Sequence, residues 1–219
     1  MEETWRAVDV YFEEKLATTD ETMEHILKKN EEAEMPSIEV SRAHGKMLHL
    51  MAKMAKAKTI LEIGTHGGFS TVWLARALPE EGRMATFEVN PKHAEMAREN
   101  IESAGISAEV EVIEGEALST LPSILEKGYP RFDFIFIDAD KENNSEYLNW
   151  ALKLSKKGAT IIVDNVVRRG KIIEDTDEKA VPQIRDMFDQ LSKDDRIETT
   201  AIQTVGQKGY DGFLMGVVK

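Results

Sequence analysis

Three short stretches gather the residues able to do chemistry. LEIGTHGG (61–68) sets Glu62 ahead of Gly64, Gly67 and Gly68; FDFIFIDADK (132–141) runs apolar residues into Asp138, Asp140 and Lys141; IIVDN (161–165) ends in Asp164 and Asn165. Glycine allows positive φ and close backbone approach to a ligand. Asp138, Asp164 and Asn165 together offer two carboxylates and an amide oxygen, a hard set that suits Mg²⁺, Mn²⁺ or Ca²⁺ rather than zinc. Mg²⁺ held this way keeps positions open for water and two acceptor oxygens. Lys141 follows Asp138 by three residues. Beside a cation its ammonium form is disfavoured by like charge, which places it as general base for a metal-activated hydroxyl.

Glu88 lies 24 residues after Gly64. An acid at that distance accepts both hydroxyls of a ribose, as in nucleotide-binding α/β folds. NAD and S-adenosylmethionine both meet that requirement. The glycine spacing is G-x-x-G-G, not the G-x-G-x-x-G of dinucleotide sites. Glu62, Asp138 and Asp140 crowd the loop with acid, which suits a sulfonium and an amino group better than a pyrophosphate. The methyl donor is therefore favoured, and an NAD-dependent oxidoreductase is the rival from another class. The five histidines show no zinc spacing; His66, inside the glycine loop, is the one placed to touch a ligand.

These residues need elements that bring them together. Short apolar runs at 59–63, 84–89, 110–115, 132–138 and 159–165 alternate with helical segments, including one opened by Asn90-Pro91 and closed by Gly105. Near-continuous apolar strands separated by helices predict a parallel sheet covered on both faces, an α/β doubly wound fold. Ligands bind such sheets at the carboxyl ends of the strands, and four of the five runs end in acid. Residues 4–30 are predicted as one helix. Ser41 caps a further helix with Met47, Leu48, Met51, Met54 and Ala55 on its apolar face; one short helix is expected around 118–125, another helix at 147–154 and a last one around Val181 to Leu191. Two final strands near 197–204 and 212–218 are joined by a short turn, so one is predicted antiparallel.

The chain has 219 residues, 42% hydrophobic and 31% charged, with no cysteine. Disulfides are excluded, and a reducing cytoplasm is the expected setting. No apolar run reaches the roughly 18–20 residues of a membrane span, and the acidic N-terminus lacks a signal-peptide pattern. A net charge of −12 opposes general attraction to nucleic acid.

With LEIGTHGGFSTVWLARALPEEGR, FDFIFIDADK and IIVDNV in place, the chain resembles the cation-dependent class I O-methyltransferases, the family of catechol and caffeoyl-CoA O-methyltransferases. The resemblance runs from about Ile38 to the C-terminus. It implies a Rossmann-like seven-stranded sheet in the order 3-2-1-4-5-7-6, the last strand antiparallel, with residues 1–37 as a helical lid or dimerisation appendage and 38–219 as the catalytic domain. It further implies that Glu62, Gly64, Thr65 and Ser70 line the methyl-donor pocket and that Val40 adds backbone contact. Glu88 would hold the ribose, Ala117 would lie beside the adenine and Asp140 would meet the methionine end. Asp138, Asp164 and Asn165 would bind the cation, Mg²⁺ first, and Lys141 would be the base. Homodimers are implied as well. Arg168 and Arg169 stand where relatives often carry an aromatic residue, and His66 replaces a frequent aromatic. These departures make the acceptor side more polar, so the expected acceptor is a small vicinal diol of the catechol type, an acidic or phosphorylated one being favoured over a plain catechol. The alternative acceptor is a hydroxylated uridine of transfer RNA, favoured locally by Arg168, Arg169 and Lys171 and opposed by the net charge.

Overall fold

The apolar runs form seven strands: β1 (Thr59–Ile63), β2 (Arg83–Glu88), β3 (Glu109–Glu114), β4 (Phe132–Ile137), β5 (Ser155–Asp164), β6 (Ile197–Gly206) and β7 (Gly209–Val218). In the computed structural model, which describes residues 1–16 and 18–219, they make one sheet in the order β3-β2-β1-β4-β5-β7-β6. The first five pair in parallel, and β7 runs antiparallel to both β5 and β6. This is the predicted order and the predicted sense of the last strand.

Strand β4 shows why the sheet is central. Phe132, Phe134, Ile135, Phe136 and Ile137 are all fully buried. Alternation sends Ile135 and Ile137 to one face, with Leu61, Val163 and Leu148, and sends Phe134 and Phe136 to the other, with Ile60, Val72 and Leu48. Each such side chain contributes about 1.5–3 kcal/mol on burial, so the strand ends that carry the acids are held by the best-packed part of the molecule.

The helices are α1 (Glu2–Leu16), α2 (Glu21–Glu32), α3 (Arg42–Met54), α4 (Phe69–Ala75), α5 (Pro91–Ser103), α6 (Ala117–Thr120), α7 (Ser123–Glu126), α8 (Asn144–Leu154) and α9 (Ala180–Leu191). Asn90 caps α5, with Pro91 opening it and Gly105 beyond its end at positive φ. Ser41 caps α3 by accepting from the His44 amide at 3.2 Å. The helix predicted over 4–30 is two helices. Thr18-Thr19-Asp20 disfavours helix and supplies a cap, and Asp20 accepts from the Met23 amide at 3.1 Å to start α2 afresh. Residue 17, inside the predicted helix, lies outside the described residues. The segment 118–125 also divides, into α6 and α7. Strand β5 begins at Ser155, ahead of the predicted 159, because Ser155 pairs with Phe132 across an irregularity in the β4 register. On α3 the buried residues are Gly45, Leu48 and Ala52, while Met54 in the last turn is exposed.

The two N-terminal helices sit differently. Helix α2 buries Met23 and Ile26 completely and packs on α4 and α5. Helix α1 buries no residue and leans on β6 and α3.

Candidate active site

A cavity of about 970 Å³ opens at the carboxyl ends of β1, β2 and β4. The glycine loop forms its floor. Gly64 has φ +99°, and a Cβ there would collide with the carbonyl oxygen of Asp138, so only glycine lets β1 and β4 come together at this point. Thr65 and Ser70 line the same wall. Glu62 does not. It is wholly buried behind the wall, where its carboxylate accepts from Ser70 Oγ (2.7 Å), Thr71 Oγ1 (2.5 Å) and Thr86 Oγ1 (2.7 Å). The expected lining role is corrected: an inward-facing β1 side chain fastens α4 and β2 around the loop. Burial pushes the Glu62 carboxyl up to about 7, against the pull of those three hydroxyl donors.

Glu88 ends β2 on the cavity wall, and the chain itself orients it. Its two oxygens accept from the His66 amide at 2.7 Å and the Asn90 amide at 2.9 Å. Val40 and Ala117 face the same space. Asp140 is also a wall residue, held by Tyr147 Oη and Asn143 Nδ2, each at 2.5 Å. Burial, and then the Asp140 charge, pushes the Tyr147 phenol upward, so it stays a donor to that carboxylate. Sequence reasoning missed Tyr147, whose only signal is its place one turn into the helix after Asp140. His66 lines the cavity too. Its ring meets His93 edge-on at 4.9 Å, and both its ring nitrogens are buried without a partner. Burial and His93 hold its pKa below the usual histidine value.

Asp138 and Asp164-Asn165 follow paired strands, since Ile137 and Val163 are in register. Asp164 is buried, accepts from the Asn165 amide at 2.8 Å and faces His44 Nδ1 at 3.7 Å. Burial pushes its carboxyl up to about 6; His44 opposes the rise and the Asp138 charge adds to it. Asn165 takes φ +57°, an uncommon backbone for a residue with a side chain. Lys141 Nζ lies 2.8 Å from Asp138 Oδ1. The base candidate is thus held beside one of the carboxylates suited to the cation. Among the described residues, no cluster of three or more His, Cys, Asp or Glu side chains is grouped to hold a metal ion. A cation here would therefore need the Asn165 amide oxygen beside the two carboxylates. Two hard carboxylates, one buried against the other's charge, fit a hard divalent ion.

A second cavity of about 290 Å³ shares Asp138, Asn165, Glu39 and Val40 with the first. Asp164 lines this smaller space and not the larger one. Its far wall comes from α1, from α3 and from the β6–β7 hairpin. Asp211, in the Asp-Gly near that hairpin, accepts from the amides of Val167, Arg168 and Gly212 and so fixes the loop after Asn165.

The two arginines separate. Arg168 reaches the larger cavity, but its Nε donates to Glu178 Oε1 at 2.6 Å, and Lys171 binds the other oxygen of Glu178 at 3.0 Å. Arg169 is exposed and lines neither cavity. Glu178, 10 residues beyond Arg168, is shared between Arg168 and Lys171, while Arg169 has no ion pair among the described residues.

Comparison with known proteins finds the chain's likeness among methyltransferases. Residues 13–212 match the family described as O-methyltransferase. A catechol O-methyltransferase of Mycobacterium tuberculosis is 45% identical over 212 residues, covering 97% of this chain and 95% of the relative. The crystal structure of an O-methyltransferase from Bacillus cereus in complex with SAH superposes with a TM-score of 0.97 at 50% identity, covering 100% of both chains. TomG from Streptomyces achromogenes, in complex with SAM, gives 0.95 at 42% identity, covering 100% of this chain and 98% of that one.

Proposed function

The chain belongs to the O-methyltransferase family, and from that premise we propose that it moves a methyl group from S-adenosylmethionine to one oxygen of a small catechol-like diol, with a divalent cation held by Asp138, Asp164 and Asn165. The observation that carries the reading is the shared wall. The larger cavity holds the residues suited to a nucleoside and a methionine end, the smaller holds Asp164, and the two meet at Asp138 and Asn165. Donor and acceptor would therefore face each other where the carboxylates are. The names of the relatives in complex with SAH and SAM support the donor, and the Mycobacterium relative supports the acceptor class.

In this reading Glu88, already turned by two backbone amides, accepts from the ribose hydroxyls. Asp140, steadied by Tyr147 and Asn143, faces the methionine amino group. A bound divalent cation would supply positive charge that favours an ionised acceptor hydroxyl. Lys141 takes the hydroxyl proton and keeps the resulting ammonium beside Asp138. The glycine loop and Glu88 keep the methyl carbon in line between the acceptor oxygen and the sulfur. Such alignment lowers a barrier by up to about 7–11 kcal/mol, so positioning outweighs the base.

The test is turnover of catechol with S-adenosylmethionine. Asp138→Ala should abolish it, EDTA should stop the unaltered enzyme, and Mg²⁺ should restore it. Lys141→Ala should leave a residual rate that rises with pH, because hydroxide takes over the proton. Full turnover of Asp138→Ala, or in EDTA, would sink the proposal.

A further inference from the structure

We propose that the smaller cavity selects among catechols by charge, admitting rings with a neutral or cationic substituent and turning away carboxylated ones. The inference rests on the methyl-transfer reading above and gives its acceptor a class.

Size comes first. At about 290 Å³ the space lies at the small end of the range of about 300–1,000 Å³ usual for ligand pockets. A space of this size suits one aromatic ring with a short substituent. The space is half open, and a clasp from three parts of the chain borders it. Asp9 of α1 accepts from the Gln207 amide at 2.7 Å, and Glu13 accepts from Gln207 Nε2 at 2.9 Å. On the other side Lys208 Nζ reaches Glu39 Oε1 at 2.8 Å and the Ser37 carbonyl at 3.2 Å. A substituent on the acceptor ring must therefore end among these side chains.

Charge comes second. Asp9, Glu39, Asp138, Asp164 and Asp211 line the space, against Lys208 as its only ammonium among the described residues. A divalent cation and Lys141 would carry three positive charges against the two negative ones of Asp138 and Asp164, so the acid left over is that of Asp9 and Asp211. Lys208 is already paired with Glu39. Asp211 is satisfied by three amides but keeps its charge. Asp9 has a backbone amide and no ion-pair partner within 4 Å among the described residues. Of the two arginines that argued for an acidic acceptor, Arg168 opens on the other cavity and pairs with Glu178, and Arg169 lines neither cavity. A carboxylate brought into this space meets uncompensated acid in partly excluded water, where Coulomb repulsion is stronger than in bulk. An ammonium meets Asp9.

The experiment compares three acceptors with one ring: 4-(2-aminoethyl)catechol, 4-methylcatechol and 3,4-dihydroxyphenylacetate, each with S-adenosylmethionine and Mg²⁺. The amine should exceed the carboxylate in kcat/KM by about tenfold or more, mostly through KM, and 0.5 M NaCl should shrink the gap. Asp9→Asn keeps an oxygen for the Gln207 amide and removes the charge; it should narrow the ratio at least threefold. Glu81→Gln, an exposed charge outside both cavities, should leave the ratio alone and so separates local from net charge. Equal kcat/KM for amine and carboxylate, or an Asp9→Asn ratio like that of the parent, overturns the charge inference while the methyl-transfer reading stands. Methylation of none of the three overturns that reading and the inference with it.

Discussion

Glu62 is a carboxylate with three hydroxyl donors, no cationic partner and no exposed surface. Its ordinary value is 4.5, and burial carries it up to about 7 in the fold. Below the ordinary value both folded and unfolded chains hold the proton, and the stabilising difference is fully present. As pH rises towards 7 the unfolded chain releases the proton first, so stability is lost through that window, by on the order of 3 kcal/mol in total. Glu62→Gln removes this titration. Urea unfolding should show the parent losing stability relative to the Gln variant between pH 5 and pH 8; parallel curves would refute the assignment. Gly64 makes a second prediction at this scale. Gly64→Ala meets the Asp138 carbonyl at positive φ, and should cost more than about 2 kcal/mol together with most of the donor affinity, read by calorimetry with S-adenosylhomocysteine. Gly64 was legible in the sequence because a glycine at the end of an apolar run has few other uses, whereas Glu62 was found as an acid of the loop but given a lining role that its burial excludes. Tyr147 left only its place one turn into the helix after Asp140, and His44 and Glu178 were not legible, since each reaches the site by packing between elements. Arg168 was read with the wrong consequence for the same reason: its partner lies beyond the motif.

At the scale of elements, β1 to β4 were legible within a residue, β5 and β7 began four and three residues early, and the two N-terminal helices were read as one. A buried parallel strand writes itself as an apolar run, whereas the break between α1 and α2 depends on a cap at Asp20 inside a continuous helical periodicity. The two helices should also behave differently on removal. Helix α2 is tied to the glycine loop. Asn100 Nδ2 donates to Asn30 Oδ1 at 3.0 Å and to the Gly67 carbonyl at 2.8 Å, and Arg76 and Arg42 pair with Asp20 and Glu24. Helix α1 buries nothing and touches the clasp through Asp9 and Glu13. Deletion of residues 1–16 should therefore shift Tm by only a few degrees, leave S-adenosylhomocysteine affinity within about twofold, and raise the acceptor KM at least fivefold, because the wall that carries Asp9 is gone. Deletion through Glu32 exposes the faces that Met23 and Ile26 cover and should lower Tm by more than about 10 °C, consistent with loss of several kcal/mol. Thermal melts and KM values for both truncations check the contrast.

For the whole molecule, a sheet packed on both faces accounts for the strand order but leaves one outer layer unfinished. Among the described residues, α1 exposes Val8, Tyr11, Phe12 and Leu16, and the strand it leans on, β6, exposes Ile202 and Val205. A 15-residue helix with no buried side chain gains little from its own fold and is marginal by itself in water. Its apolar side chains lie next to a sheet edge with unpaired backbone groups, which invites pairing unless covered. Each of the other helices of ten or more residues has a buried face to rest on. We propose that the pair of chains implied by the family resemblance meets at this layer. Light scattering should then give a mass of twice 24.7 kDa. Tyr11→Glu with Phe12→Glu, which desolvates two carboxylates if the layer is covered, should return a single-chain mass without lowering S-adenosylhomocysteine affinity, since neither residue touches the donor cavity. A dimer that survives both substitutions would place the interface elsewhere, and a single-chain mass for the parent would remove it. The outcome also bears on the clasp: Asp9 lies on the same helix, so a dimer closing on α1 would hold the acceptor wall in place, and acceptor KM should rise in step with dissociation.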